Sequence, residues 1–194
     1  LDSSANQSAD SGAADWLFSQ AEFVIHEGTV QWTDERRGLP TLALQQVNLV
    51  LRNRLRQHSA RLDATPPPQW GERFSLRAVL RQPLLSTNNG QWREWDGQLY
   101  AMFDHVDLSE LRRYADLGVQ LAQGRGAVRA WVDVQRGQVQ GATADVARES
   151  VQATLGAGLQ PMALQSVSGR LAGRLLARGF EFSTEALQFQ TGDG

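Results

Sequence analysis

Apolar and polar residues alternate along three stretches of the chain with the period of two that an extended backbone imposes on its side chains. In the first, Val47, Leu49, Leu51 and Leu55 fall on one side and Asn48, Arg52, Arg54 and Arg56 on the other. Phe74, Leu76, Ala78 and Leu80 stand against Arg73, Ser75, Arg77 and Arg81 in the second, and Val128, Ala130, Val132 and Val134 against Arg129 and Asp133 in the third. Each pattern is that of a half-buried strand, and what lies against the apolar side decides the function.

Turn residues divide the chain into hairpins. Gly28 between Phe23–Ile25 and Val30–Trp32, Gly137 between Val134 and Val139, and Gly179 between Leu176 and Phe180 each supply the backbone freedom of a tight turn. Breaker-rich stretches at 34–40, 65–71 and 82–90 read as loops. One helix is predicted near 107–116, where Asp107-Leu108-Ser109-Glu110 has capping-box spacing, Leu108 and Leu111 share a face, and Gly118 stops the run. The small polar residues from Leu1 to Asp15 lack periodicity, so the expected organisation is a flexible lead-in over 1–20 and a single β-rich unit over 21–194, with structure beginning near Trp16.

About nine strands of about seven residues would make a sheet of roughly 43 by 23 Å, with an apolar face near ~1,000 Å². A helix of about ten residues covers only about 150 Å² and cannot be the lid. The fold expected is therefore mostly β and mainly antiparallel. Either the sheet closes on itself as a β-sandwich or barrel, or it curls into an open groove, and the period alone favours the closed form.

The 194 residues, 41% hydrophobic and 21% charged, are ordinary for a folded domain, and a net charge of -2 provides no basic field to collect nucleic acid. All 19 basic residues are Arg. The absence of Cys removes disulfides and thiolate chemistry. His26, His58 and His105 are far apart and read as structural, so no metal is expected. Gly124-Arg125-Gly126 precedes a strand where a phosphate loop needs a helix. With no Gly-x-Ser-x-Gly elbow and no poised pair of carboxylates, neither an enzyme nor a cofactor is expected. No apolar run approaches the ~18 residues of a spanning helix. A chain opening on Leu1 reads as a segment of a longer protein. Among the Trp residues, Trp92 and Trp95 flank a loop and are candidates for an amphipathic rim, while Trp16, Trp32, Trp70 and Trp131 read as packing.

Several segments taken in order resemble a known family. The run FVIHEGTVQWTDERRGLP from Phe23 to Pro40, then LALQQVNL from Leu42 to Leu49, has the form strand, Gly turn, strand ending in Trp and Asp, linker, and an apolar strand ending in Val-Asn-Leu. Asp96–Ala101, Asp107–Arg112, Gly124–Gly126, Ala130–Asp133 and Val167–Leu171 extend the likeness, which runs from about Ala21 to Gly194. The chain resembles the YhdP-type branch of the AsmA-like proteins of Gram-negative envelopes.

That resemblance implies a segment from the N-terminal half of a large protein anchored in the inner membrane and crossing the periplasm as a long β-groove that carries phospholipids toward the outer membrane. It favours the open groove. Its partners would be phospholipid acyl chains, the membranes at the ends of the full-length protein and the remainder of the same chain. The expected lipid-facing residues are Val47, Leu49, Leu51, Leu55, Phe74, Leu76, Leu80, Leu99, Phe103, Val128, Val132, Val134, Leu171, Leu175, Phe180 and Phe182, with Arg52 or Arg129 assisting head groups at the open edge. The rival readings are a closed β-sandwich that binds a glycan or protein, and a scaffold segment that never touches lipid.

Overall fold

The alternation extends well beyond the three stretches that announce it. A computed structural model of the protein describes residues 12, 14–33, 41–84, 91–107, 121–153, 162–176 and 178–191. Its strands are β1 (Glu22–Trp32), β2 (Leu42–Arg54), β3 (Gln57–Thr65), β4 (Phe74–Arg81), β5 (Asp96–Asp107), β6 (Leu121–Gln135), β7 (Gln138–Ala153), β8 (Met162–Leu176) and β9 (Gly179–Thr191). They form one sheet in the order β1 to β9, each strand antiparallel to its neighbours in sequence.

The sheet is open. β1 and β9 are its two edges and do not pair with each other, and no second layer of strands exists among the described residues. The closed form that the period alone favours is thereby corrected. A sandwich needs connections that carry the chain from one layer to the other. Two-residue turns at Leu55-Arg56 and Arg136-Gly137 instead return the strand directly beside its predecessor.

The register sorts the side chains into two faces. Phe23, Leu51, Ala60, Ala78, Leu99, Val132, Ala142, Gly173 and Phe182 are successive cross-strand partners from β1 to β9. Ile25, Leu49, Leu62, Leu76, Ala101, Ala130, Ala144 and Leu171 form the next row on the same face. The opposite face carries Asp63, Ser75, Met102, Arg129, Asp145, Arg170 and Glu185 in one row.

β-Bulges keep the apolar residues on their face along strands this long. In β1, Phe23 and Ile25 are odd-numbered, but past Glu27 (φ 49) the face continues with even-numbered Val30 and Trp32, opposite Leu44 and Leu42. Gln46 (φ 49) makes the matching shift in β2, and the Glu27 amide donates to Asn48 Oδ1 at 3.1 Å. In β9 the shift comes at Ala186 (φ 50), which carries the face from Phe180 and Phe182 to Phe189, the partner of Val167. Each extra residue bends its strand and tightens its twist, so the sheet curves.

Two expectations change here. The hairpin read at His26–Gly28 is a bulge inside a continuous β1: Gly28 lies opposite Val47, and its absent Cβ would sit 2.7 Å from Ile25 Cγ2. Asp107, read as a helix cap, is the last residue of β5 and accepts a hydrogen bond from Arg125 Nε at 3.0 Å; the rest of the helix expected near 107–116 lies outside the described residues. The loops at 34–40 and 85–90 lie outside them as well. Within the lead-in, residues 14–19 are helical.

Candidate functional site

The most extensive feature of this sheet, among the described residues, that invites a ligand is its apolar face. Val47, Leu49, Leu51, Phe74, Leu76, Leu80, Leu99, Phe103, Val128, Val132, Val134, Leu171, Leu175, Phe180 and Phe182 all project from it, as the register shows. Leu55 does not. It occupies the β2–β3 turn at φ 50 and is fully exposed, because the strand ends at Arg54 and its alternation no longer applies. Phe23, Ile25, Val30, Trp32, Leu62, Val146 and Phe189 belong to the same face and escape a sequence reading, several because a bulge reverses the alternation before them.

Cover is unequally distributed. The buried apolar residues Val47, Leu51, Ala64, Trp70, Trp95 and Val106 all lie between β2 and the end of β5. On β8 and β9, Leu175, Phe180, Phe182 and Phe189 are 52, 66, 59 and 61% exposed. The Phe180 ring lies over Gly173, where a Cβ would approach within 2.6 Å of it. Among the described residues, β2 to β5 thus carry a small core, whereas β8 and β9 present hydrocarbon without cover.

The core closes one corner of the apolar face. Trp95 follows a short 3₁₀ turn (Trp92–Glu94) and is completely buried, stacked on His58 with centroids 3.9 Å apart and planes 13° apart. Phe18, from the helical segment, meets both rings edge-on at 4.7 and 5.4 Å. Asn53 fastens that segment, its Nδ2 donating to the carbonyls of Leu17 and Gln20 at 3.2 and 2.6 Å. From the other side the β6–β7 turn backs onto the Trp95 segment: the Gly137 amide donates to Trp95 O at 3.0 Å, and at φ 66 any Cβ on Gly137 would collide with the Arg93 carbonyl.

These contacts fix the state of His58. With Asn53 Nδ2 engaged as a donor, Asn53 Oδ1 accepts from His58 Nδ1 at 2.8 Å, so Nδ1 carries the proton of a neutral ring. Burial holds this imidazole below its ordinary value, with the Gln82 side chain opposing that shift. The Arg56 guanidinium holds the Gln82 backbone in place, donating to Gln82 O at 2.8 Å. A base whose folded pKa is depressed binds fewer protons folded than unfolded, so its contribution is complete above about pH 6.5 and is lost as pH falls toward the folded value. The melting temperature followed by circular dichroism is expected to fall between about pH 7 and pH 5, and the His58→Asn variant, less stable but keeping a donor near Nδ1, to show a flat profile there. An equal decline in the variant would assign the effect elsewhere.

The opposite face is held by polar pairs. Partial burial pushes Asp63 up, but hydrogen bonds from Ser75 and Arg61 outweigh it and hold the carboxyl below its usual range. Arg170 does the same to Asp145, donating to both of its oxygens at 2.6 and 2.9 Å. Arg52, paired with Glu22 at 2.8 Å, and Arg129 stand on this polar face and not among the hydrocarbon side chains. Of the rim candidates, Trp95 is core and Trp92 is 46% exposed under the Arg93 guanidinium. Trp131, read as packing, is half-exposed on the polar face beside Tyr100.

Among the described residues no cluster of His, Asp and Glu is placed to hold a metal ion, and no helix is long and apolar enough to cross a membrane. What the surface can do chemically is hold hydrocarbon. No curated protein and no solved structure matches the chain. The profile described as YhdP protein matches residues 1–194, and on that full-length match the chain belongs to the YhdP family.

Proposed function

We propose that this segment holds phospholipid acyl chains against its apolar face and passes them along a groove, as one part of a periplasmic, inner-membrane-anchored protein that bridges the two membranes of a Gram-negative envelope. The observation that carries the reading is the uncovered hydrocarbon of β8 and β9, continuous by register with Val132, Leu99 and Leu76. A soluble domain does not leave such a face open without an occupant. Residues 21–194 act as the lipid-holding unit.

Each methylene withdrawn from water contributes about 0.8 kcal/mol, so two acyl chains are held by area alone. Because the rows repeat with similar Leu, Val and Ala side chains, a lipid meets no single contact that must break before it slides. Head groups stay in water beyond the apolar face. The transfer is physical and no bond is made or cut.

Native mass spectrometry of the segment purified without detergent tests this. Adducts with phospholipid masses, exchangeable for added phospholipid, are the expected result. A clean protein mass that remains clean after incubation with lipid would favour the scaffold reading.

A further inference from the structure

The polar face carries a feature of its own. Across β4, β5 and β6 it forms an open depression of about 490 Å³ whose outward-facing lining residues are Arg77, Val79, Gln98, Tyr100, Trp131 and Asp133. All six have the outward register, Arg77–Tyr100–Trp131 forming one row and Val79–Gln98–Asp133 the next. The sheet separates this depression from the hydrocarbon face, and its volume is that of a small-molecule site.

Its chemistry narrows the ligand. Trp131, 40% exposed, and Tyr100 form an aromatic wall with centroids 5.4 Å apart and planes tilted by 48°. Gln98 Nε2 donates to Asp133 Oδ1 at 2.9 Å, which presets a planar amide and carboxylate beside that wall. Arg77 has no hydrogen-bond or ion-pair partner among the described residues, and Val79, 44% exposed, adds an apolar patch. One cation and one carboxylate leave the depression neutral. That balance disfavours a nucleic acid or an anionic lipid head group, and a peptide added as a strand needs a sheet edge, which β4–β6 do not offer.

We propose that this depression binds a neutral saccharide ring. The weakly positive C–H groups on one face of a pyranose lie on the negative face of an aromatic ring, while vicinal hydroxyls engage Arg77, Gln98 and Asp133 as paired donors and acceptors. An N-acetyl substituent would set its methyl on Val79. The site is independent of whether the opposite face carries lipid.

Isothermal titration of the segment with tri-N-acetylchitotriose tests the assignment. Saturable binding is expected, weakened about tenfold or more by Trp131→Ala. Asp133→Asn, which retains an acceptor for Gln98 and so tests the site should Trp131→Ala unfold, is expected to weaken it by a smaller factor. No saturation up to about 10 mM, binding unchanged in the variants, or tighter binding of an acidic oligogalacturonide would each overturn the proposal.

Discussion

Replacing Trp95 with Ala is expected to remove about 3–5 kcal/mol of stability, because Trp95 is the largest fully buried side chain among the described residues. Trp95 has no exposed surface and stacks on one ring while meeting another edge-on. The partners that would close over the space are themselves anchored: His58 by Asn53, and Phe18 by the hydrogen bonds that tie Leu17 and Gln20 to Asn53. A cavity lined by groups unable to move inward retains its full cost. Urea unfolding followed by circular dichroism should show the midpoint moving sharply down. A loss below about 1 kcal/mol would mean that the corner collapses freely and that the helical segment is not held by it.

The second large effect concerns the apolar face and uses two adjacent residues that the register sends to opposite sides. Leu171 lies in the row with Ala144 and Ala130, whereas Ala172 is paired with Thr143 and Ser183 on the polar face. Leu171→Glu is expected to reduce phospholipid retention more than tenfold, because a carboxylate either drags water onto the hydrocarbon or must be stripped of it. Ala172→Glu adds the same charge among polar neighbours and should leave retention near that of the parent. Lipid carried per protein, measured by native mass spectrometry, reads both. Equal losses in the two variants would refute the separation of faces, and no loss in either would refute lipid holding on this surface.

Much of the sheet could be read from residues alone wherever the alternation was uninterrupted. The run Phe74 to Arg81 is β4, and the turn at Gly137 is a hairpin turn because Val134 and Val139 keep their spacing across it. Fifteen of the expected face residues fall on one side for the same reason: period-two patterning is a property of the backbone and needs no partner to be visible.

What escaped notice were the places where the register is reset. Nothing about Glu27, Gln46 or Ala186 marks them as residues that take a positive φ in mid-strand, since the cost of that conformation is met by pairing with a neighbouring strand that a single sequence does not reveal. Phe23-Val24-Ile25 and Val30-Gln31-Trp32 therefore read as two strands, although they are one. The stack of His58 on Trp95 was hidden for a related reason, because it joins the start of β3 to the residue before β5. Openness itself was not in the pattern either: a half-buried strand looks the same whether protein or lipid covers it.

The strictly sequential order of the strands has a consequence for how the molecule comes into being. Among the described residues, a sheet whose newest strand needs only the one made just before it can be completed largely in the order of synthesis, the closures of Phe18 on Trp95 and of Trp70–Gly71 on the end of β5 being pieces that wait for later segments. Such an assembly resembles a linear array more than an all-or-none domain, and β9, the edge strand farthest in strand order from the Trp95 corner, is expected to loosen first.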